Sequence, residues 1–255
     1  NKLLNRILWA ADKEMDMRLA TFDGGNLRNA IAREAYADVV VMEQEAEDLK
    51  QLVAKYSDEL KYEFRSTEPN MQVGIEAIPM PEFVVDMLSQ DNLLNVLYAC
   101  PHGVLSMSRE IPGFVETSTN LASVKMQEGY FMITTSQRSS LESAKDAAAS
   151  RVESCFLLAG ADVEHTDGYP GWSPNTDSYI LKVAVDSYKR LFGKEPVVRA
   201  IHAGLECGLI GEKYQGMDMI SYGPTLRGVH SPEERLEIAT VELFWRHTLD
   251  ILKNI

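Results

Sequence analysis

Basic residues are scarce: 25 Lys and Arg stand against 38 Asp and Glu, a formal net charge of −13 over 255 residues. A surface of that sign repels phosphate backbones, and no basic stripe offsets it, so nucleic acid is not an expected partner. Also missing is any uninterrupted apolar run of the roughly 20 residues that a membrane-spanning helix needs, so no membrane partner is expected either. Cysteine is sparse. Cys100, Cys155 and Cys207 are scattered without a CxxC pair, which reads as reduced thiols in a cytoplasmic protein. The opening NKLLNRILWAADKE is amphipathic with interspersed charge and does not have the form of a signal peptide. There is no internal repeat and no low-complexity tract. The first residue is Asn1, inside a helical pattern, so the chain is expected to be part of a longer protein.

What is present is enough to fold. With 45% hydrophobic residues the chain can bury one large core or two smaller ones. Leu3, Leu4, Ile7 and Leu8 fall at helical spacing. RLATFDGG and EAYADVVVM follow as strands, then an amphipathic helix from Glu43 to Glu59. NMQVGIEAI alternates and predicts a strand, and a helix is expected from about Pro81 to Tyr98. VETSTNLASVKMQEGYFMITTSQRSS reads as two strands joined by the turn QEG. Ser139 or Ser140 then caps a helix that Gly160 ends. This order suits antiparallel sheets with helices, an α+β arrangement of split β-α-β, ferredoxin-like units.

The texture changes at HTDGYPGWSPN, residues 165–175, the best linker in the chain. Beyond it the spacing predicts a helix from Ser178 to Phe192, a strand PVVRAIHAG, a short helix LECGLIGEKY, a strand MDMISYGP and a final helix from Ser231. That is the rhythm of a parallel α/β sheet, but two strands make only half of one.

Four stretches could carry chemistry. In SYGPTLRGVHSPEERLEI, Ser231-Pro232-Glu233-Glu234 has the form of a capping box and predicts a helix start. His230 precedes it, after a strand's C-terminal end where α/β sheets place ligands. A histidine there is a metal or catalytic candidate, or simply a polar residue before a cap. It has no HxH, HxxxH or HxD companion, and His102, His165 and His247 are scattered. In VRAIHAGLECGLIGEKY, Gly204 could let a ligand approach the backbone ahead of a helix N-terminus, while His202 reads better as a structural polar group. DGGNLRNAIAREA places Asn26, Arg28 and Asn29 between two strands, where a hairpin alone would need only the glycines. TTSQRSS ends a strand at Arg138, either solvated surface or a planar fork for a carboxylate.

Taken together, GGNLRNAIAREA, ITTSQRSS, AIHAGLECGLIGEKYQGMDMISYGP and GVHSPEER resemble the zinc-dependent aminoacyl-histidine (Xaa-His, carnosine-type) dipeptidases of the co-catalytic metallopeptidase superfamily. The resemblance runs over essentially the whole chain. It implies a catalytic α/β domain split by an inserted lid. On that basis residues 1–168 are a lid or dimerisation domain without its N-terminal edge, and residues 169–255 are the C-terminal segment of the catalytic domain. The H-x-D motif, the bridging Asp and the Glu pair that includes the general base would lie outside this sequence, so no catalytic residue is assigned within it. By motif, Asn29 matches the lid asparagine that reaches substrate, Arg138 the lid arginine that holds the substrate carboxylate, Gly204 the pocket-lining glycine, and His230 the last metal ligand. Ala32 departs from the family, which commonly has proline after N-A-I.

The implied reaction is hydrolysis of Xaa-His dipeptides by a water activated between two zinc ions, with cobalt or manganese as substitutes, in a cytoplasmic enzyme. A homodimer is compatible with the resemblance. This chain alone is expected to be inactive. The competing expectation is a non-catalytic, lid-like dimerisation or ligand-binding module whose site has been lost.

Overall fold

The computed structural model of the chain describes residues 1–255 apart from 167, 169, 173, 174, 176, 200–205 and 230–232. It is a mixed α/β structure with antiparallel sheets, and it divides into two compact units. The first holds residues 1–108, 115–138 and 143–166. The second holds 109–114, 139–142 and 167–255.

In the first unit, helix α1 (Lys2–Glu14) leads through Met17 to strands β1 (Arg18–Gly24) and β2 (Ala35–Val40), which pair antiparallel. A short 3-10 turn opens α2 (Ala46–Glu63), and α3 (Met87–Ala99) follows. Strands β3 (Gly103–Met107), β4 (Val115–Gln127) and β5 (Tyr130–Ser139) and helix α4 (Glu142–Leu158) complete it. The sheet order is β2-β1-β4-β3, with β5 also paired to β4. Long β4 joins the sheet: Gly24 and Asp23 of β1 meet its Val124 and Lys125, whereas β3 pairs with its opposite end, from Val115 to Thr119.

Helical spacing in α1 turns Ile7, Leu8 and Ala11 onto one face, which packs against α2, α3 and the sheet. Leu19 and Phe22 of β1, Leu60 of α2, Leu94 and Leu97 of α3, and Leu121 and Val124 of β4 are buried with it. Each such side chain contributes about 1.5–3 kcal/mol on leaving water. Polar groups fasten the same faces. Gln90 imitates a strand edge, accepting from the Leu19 amide at 2.7 Å and donating to the Met17 carbonyl at 2.9 Å. Lys2 Nζ donates to the carbonyls of Leu97, Tyr98 and Cys100 at 2.8, 2.7 and 2.8 Å, a cation placed where α3 ends in unpaired acceptors.

Two expectations fail in this unit. NMQVGIEAI is not a strand: Met71 and Val73 pack on the core and Ser57 of α2 donates to the Val73 carbonyl at 3.4 Å. The alternation is therefore that of an extended segment laid against a helix rather than of a laddered strand. Helix α3 begins at Met87, not near Pro81, because Asp86 caps it by accepting from the Ser89 amide at 3.0 Å. Strand β3 was not anticipated from the sequence.

In the second unit, α5 (Tyr179–Phe192) packs on α7 (Ala239–Lys253). Ser178 caps α5, accepting from Leu181, and Asp218 accepts from the Ile180 amide at 2.9 Å. Between the two helices, Ser187 donates to Asp250 at 2.7 Å, Arg190 pairs with the same carboxylate, and His247 bonds the Ala184 carbonyl at 2.9 Å. Helix α6 (Glu206–Lys213) and the two-residue strands β6 (Leu226–Arg227) and β7 (Arg235–Leu236) lie between them in sequence.

The sequence expectations are weaker in this unit. MDMISYGP is irregular, and so are the described residues of PVVRAIHAG, 196–199. A strand exists only with a partner to exchange hydrogen bonds with, and neither segment has one among the described residues. The final helix runs from Ala239, and Ser231 and Pro232 of the expected capping box lie outside the described residues. Leu226 and Arg227 pair with Leu236 and Arg235, and Glu237 donates to the Thr225 carbonyl at 2.9 Å, so the chain after the expected capping box is held extended. Among the described residues no helix is long and apolar enough to cross a membrane.

Candidate functional site

Of the four residues singled out as site candidates, Asn29 and Arg138 are described; Gly204 and His230 lie outside the described residues, as does His202. Asn29 sits at the turn of a loop, residues 25–34, that joins β1 to β2. The loop is closed at its base by the Gly25 amide donating to the Glu34 carbonyl at 3.3 Å, and at its tip by Ala30 N donating to Leu27 O at 3.1 Å. Gly25 has φ of 71°, and a Cβ there would overlap the Ala122 carbonyl of β4. Glycine is required at that point because the loop lies directly on the strand. Asn29 itself is exposed.

Arg138 lies near the end of β5 and is half-buried. Among the described residues its guanidinium has no carboxylate partner within ion-pair distance. An arginine without a counter-ion can hold an incoming carboxylate through two parallel bonds from its planar fork.

The loop that carries Asn29 and the residue before Arg138 are both bonded to one stretch of β4. The Asn120 side-chain amide donates to the Ala30 carbonyl at 2.8 Å and to the Arg28 carbonyl at 3.4 Å, on the two sides of Asn29. Its neighbour Thr119 accepts at 3.1 Å from Gln137, the residue before Arg138, and Gln137 also donates to Thr135 at 3.1 Å. The next amide, Leu121 N, donates to His102 Nδ1 at 3.0 Å. Burial, and then the positive charge of Lys2, lower the His102 pKa, which keeps Nδ1 free to accept. Asn120, Thr119 and Gln137 were not identified from the sequence.

A shallow depression of about 250 Å³ between α2 and Val73–Ile75, with Lys50 and Asp58 at its edge, does not include Asn29 or Arg138. Among the described residues no three His, Cys, Asp or Glu side chains come together as a metal site.

Residues 1–68 match the family described as the peptidase dimerisation domain. The cytosol non-specific dipeptidase of Escherichia coli (strain K12) is 40% identical over 255 residues, all of this chain and 53% of that protein. The crystal structure of aminoacylhistidine dipeptidase from Vibrio alginolyticus superposes with a TM-score of 0.90 at 38% identity, over 100% of this chain and 52% of that one. Over its whole length the chain is similar to part of each of these two dipeptidases. It spans about half the length of the dipeptidases it matches. The likeness extends over both compact units, and the family match covers α1, β1, β2 and α2, which include the Asn29 loop.

Proposed function

We propose that this chain is the substrate-holding part of a metal-dependent dipeptidase that cleaves Xaa-His dipeptides in the cytosol. In this reading residues 1–168 form a lid that also serves homodimerisation, and residues 169–255 are a segment of the catalytic domain. Asn29 and Arg138 contact the dipeptide, Gly204 lets the substrate approach the backbone, and His230 completes a metal site whose other ligands belong to the rest of the intact protein.

The observation that carries the reading is Arg138: a half-buried residue with no carboxylate partner among the described residues, following Gln137, whose side chain bonds the strand that also fastens the Asn29 loop. Further support comes from α7. Its Ser187-facing side is packed, yet Val241, Trp245, Leu249 and Leu252 recur at helical spacing and stay exposed, Trp245 by 58%. Such a stripe suits a helix that completes its core against further chain.

Among the described residues no donor set for zinc comes together. The metal, when bound in the intact protein, would activate the attacking water. The work assigned to the residues of this chain is different. Arg138 holds the C-terminal carboxylate and Asn29 hydrogen-bonds the peptide, which fixes the scissile carbonyl in one place and raises its effective concentration at the reacting centre. Arg138→Lys in the intact protein retains charge but loses the fork, and should raise KM for free-carboxylate dipeptides about tenfold or more. The same dipeptides as C-terminal amides should be nearly unaffected. An equal rise for both would remove the proposed role.

A further inference from the structure

Asn120 lies on β4, a few residues from where Gly25 rests on Ala122, and its side chain makes an unusual choice of partners. Its amide nitrogen reaches the carbonyls of Arg28 and Ala30, while its own Oδ1 is buried with no hydrogen-bond partner among the described residues. Two carbonyls on one side fix which end of the amide faces the loop, since a flipped side chain would set three acceptors against each other. Leaving a buried acceptor unpaired costs stability, so the nitrogen's contacts are the ones the position serves. Those two carbonyls belong to the residues on either side of Asn29. The loop's other internal bonds, at Gly25 and Ala30, close its ends but leave the orientation of residue 29 undetermined.

We infer that Asn120 is a positioning residue, which sets the direction of the Asn29 side chain by clamping the backbone before and after it. The inference rests on the reading of Asn29 as a substrate contact. Through Thr119 and Gln137 the same strand also steadies the neighbour of Arg138. The two ends of a bound dipeptide would thus be referenced to adjacent residues of one strand.

Asn120→Asp separates the clamp from packing, because it is isosteric and replaces the donor with an acceptor facing two carbonyls. In the 255-residue chain, amide exchange at Ala30 and Gly25 should quicken about tenfold in Asn120→Asp and Asn120→Ala, the scale of one or two lost hydrogen bonds, while Val124 is unchanged. In the intact peptidase both variants should lower kcat/KM about tenfold. Added to Asn29→Ala, either should change kcat/KM less than about twofold, since a residue acting through another is silent once that other is gone. Unchanged exchange at Ala30 overturns the clamp. Full additivity with Asn29→Ala overturns its route through Asn29. Loosened exchange with a catalytically silent Asn29→Ala removes instead the substrate role of Asn29, and with it the positioning role of Asn120.

Discussion

His102 shows how one protonation state is built into the bonding of β4. Its Nδ1 accepts from Leu121 N, next to Asn120, and burial followed by the Lys2 charge lowers its pKa. The unfolded chain binds this proton at the ordinary imidazole value of about 6.5, and the folded chain binds it only at lower pH. Stability conferred by neutral His102 is therefore complete above that value and is lost as pH falls through the window beneath it. His102→Asn keeps an acceptor near the Nδ1 position and cannot titrate. Urea midpoints measured from pH 7.5 to 5 should fall less steeply in this variant than in the parent, and identical slopes would contradict the assignment. At the same scale Cys100 illustrates the opposite direction, its thiol pushed up to about 11 by burial and so inert at neutral pH.

At the scale of elements, the loop between β1 and β2 depends on Gly25 in a way that neighbouring glycines do not share. Gly103 also has positive φ, 98°, but nothing stands within 4 Å of where its Cβ would be, whereas a Cβ on Gly25 overlaps the Ala122 carbonyl. Gly103→Ala thus measures the backbone penalty alone, roughly 1–3 kcal/mol, and Gly25→Ala should exceed it because the loop must lift from β4. Equal losses in chemical denaturation would mean the loop is not seated on the strand. Helices α1, α2, α4 and α5 and the β1–β2 and β4–β5 pairs could be read directly from residue spacing and turn chemistry, because each is specified locally. The misreadings share one cause, that neighbours decide. Val73 lies on α2 instead of a strand, MDMISYGP has no ladder partner among the described residues, and the β6–β7 pairing holds extended a segment whose residues suit a helix start. Motif alone singles out Asn29 and Arg138 as candidates, whereas the β4 residues bonded to the Asn29 loop and to Gln137 carry no such motif. Asn120 meets residues about ninety positions away, a contact no local pattern encodes.

Over the whole molecule, the chain matches about half the length of two dipeptidases, and among its described residues no three His, Cys, Asp or Glu side chains come together as a metal site. In the proposed reading hydrolysis is a property of the joined protein. Carboxylate recognition would lie in the first compact unit, and the rest of the metal site in sequence supplied from elsewhere. The most direct test is Xaa-His dipeptide hydrolysis, with zinc or cobalt supplied, by this chain alone and by the chain joined to the remaining length of its dipeptidase relatives. The account predicts no turnover from the chain alone, and turnover from the joined protein that His230→Ala abolishes. Turnover by the chain alone, lost in His230→Ala, would place a complete hydrolytic site within these residues and contradict it.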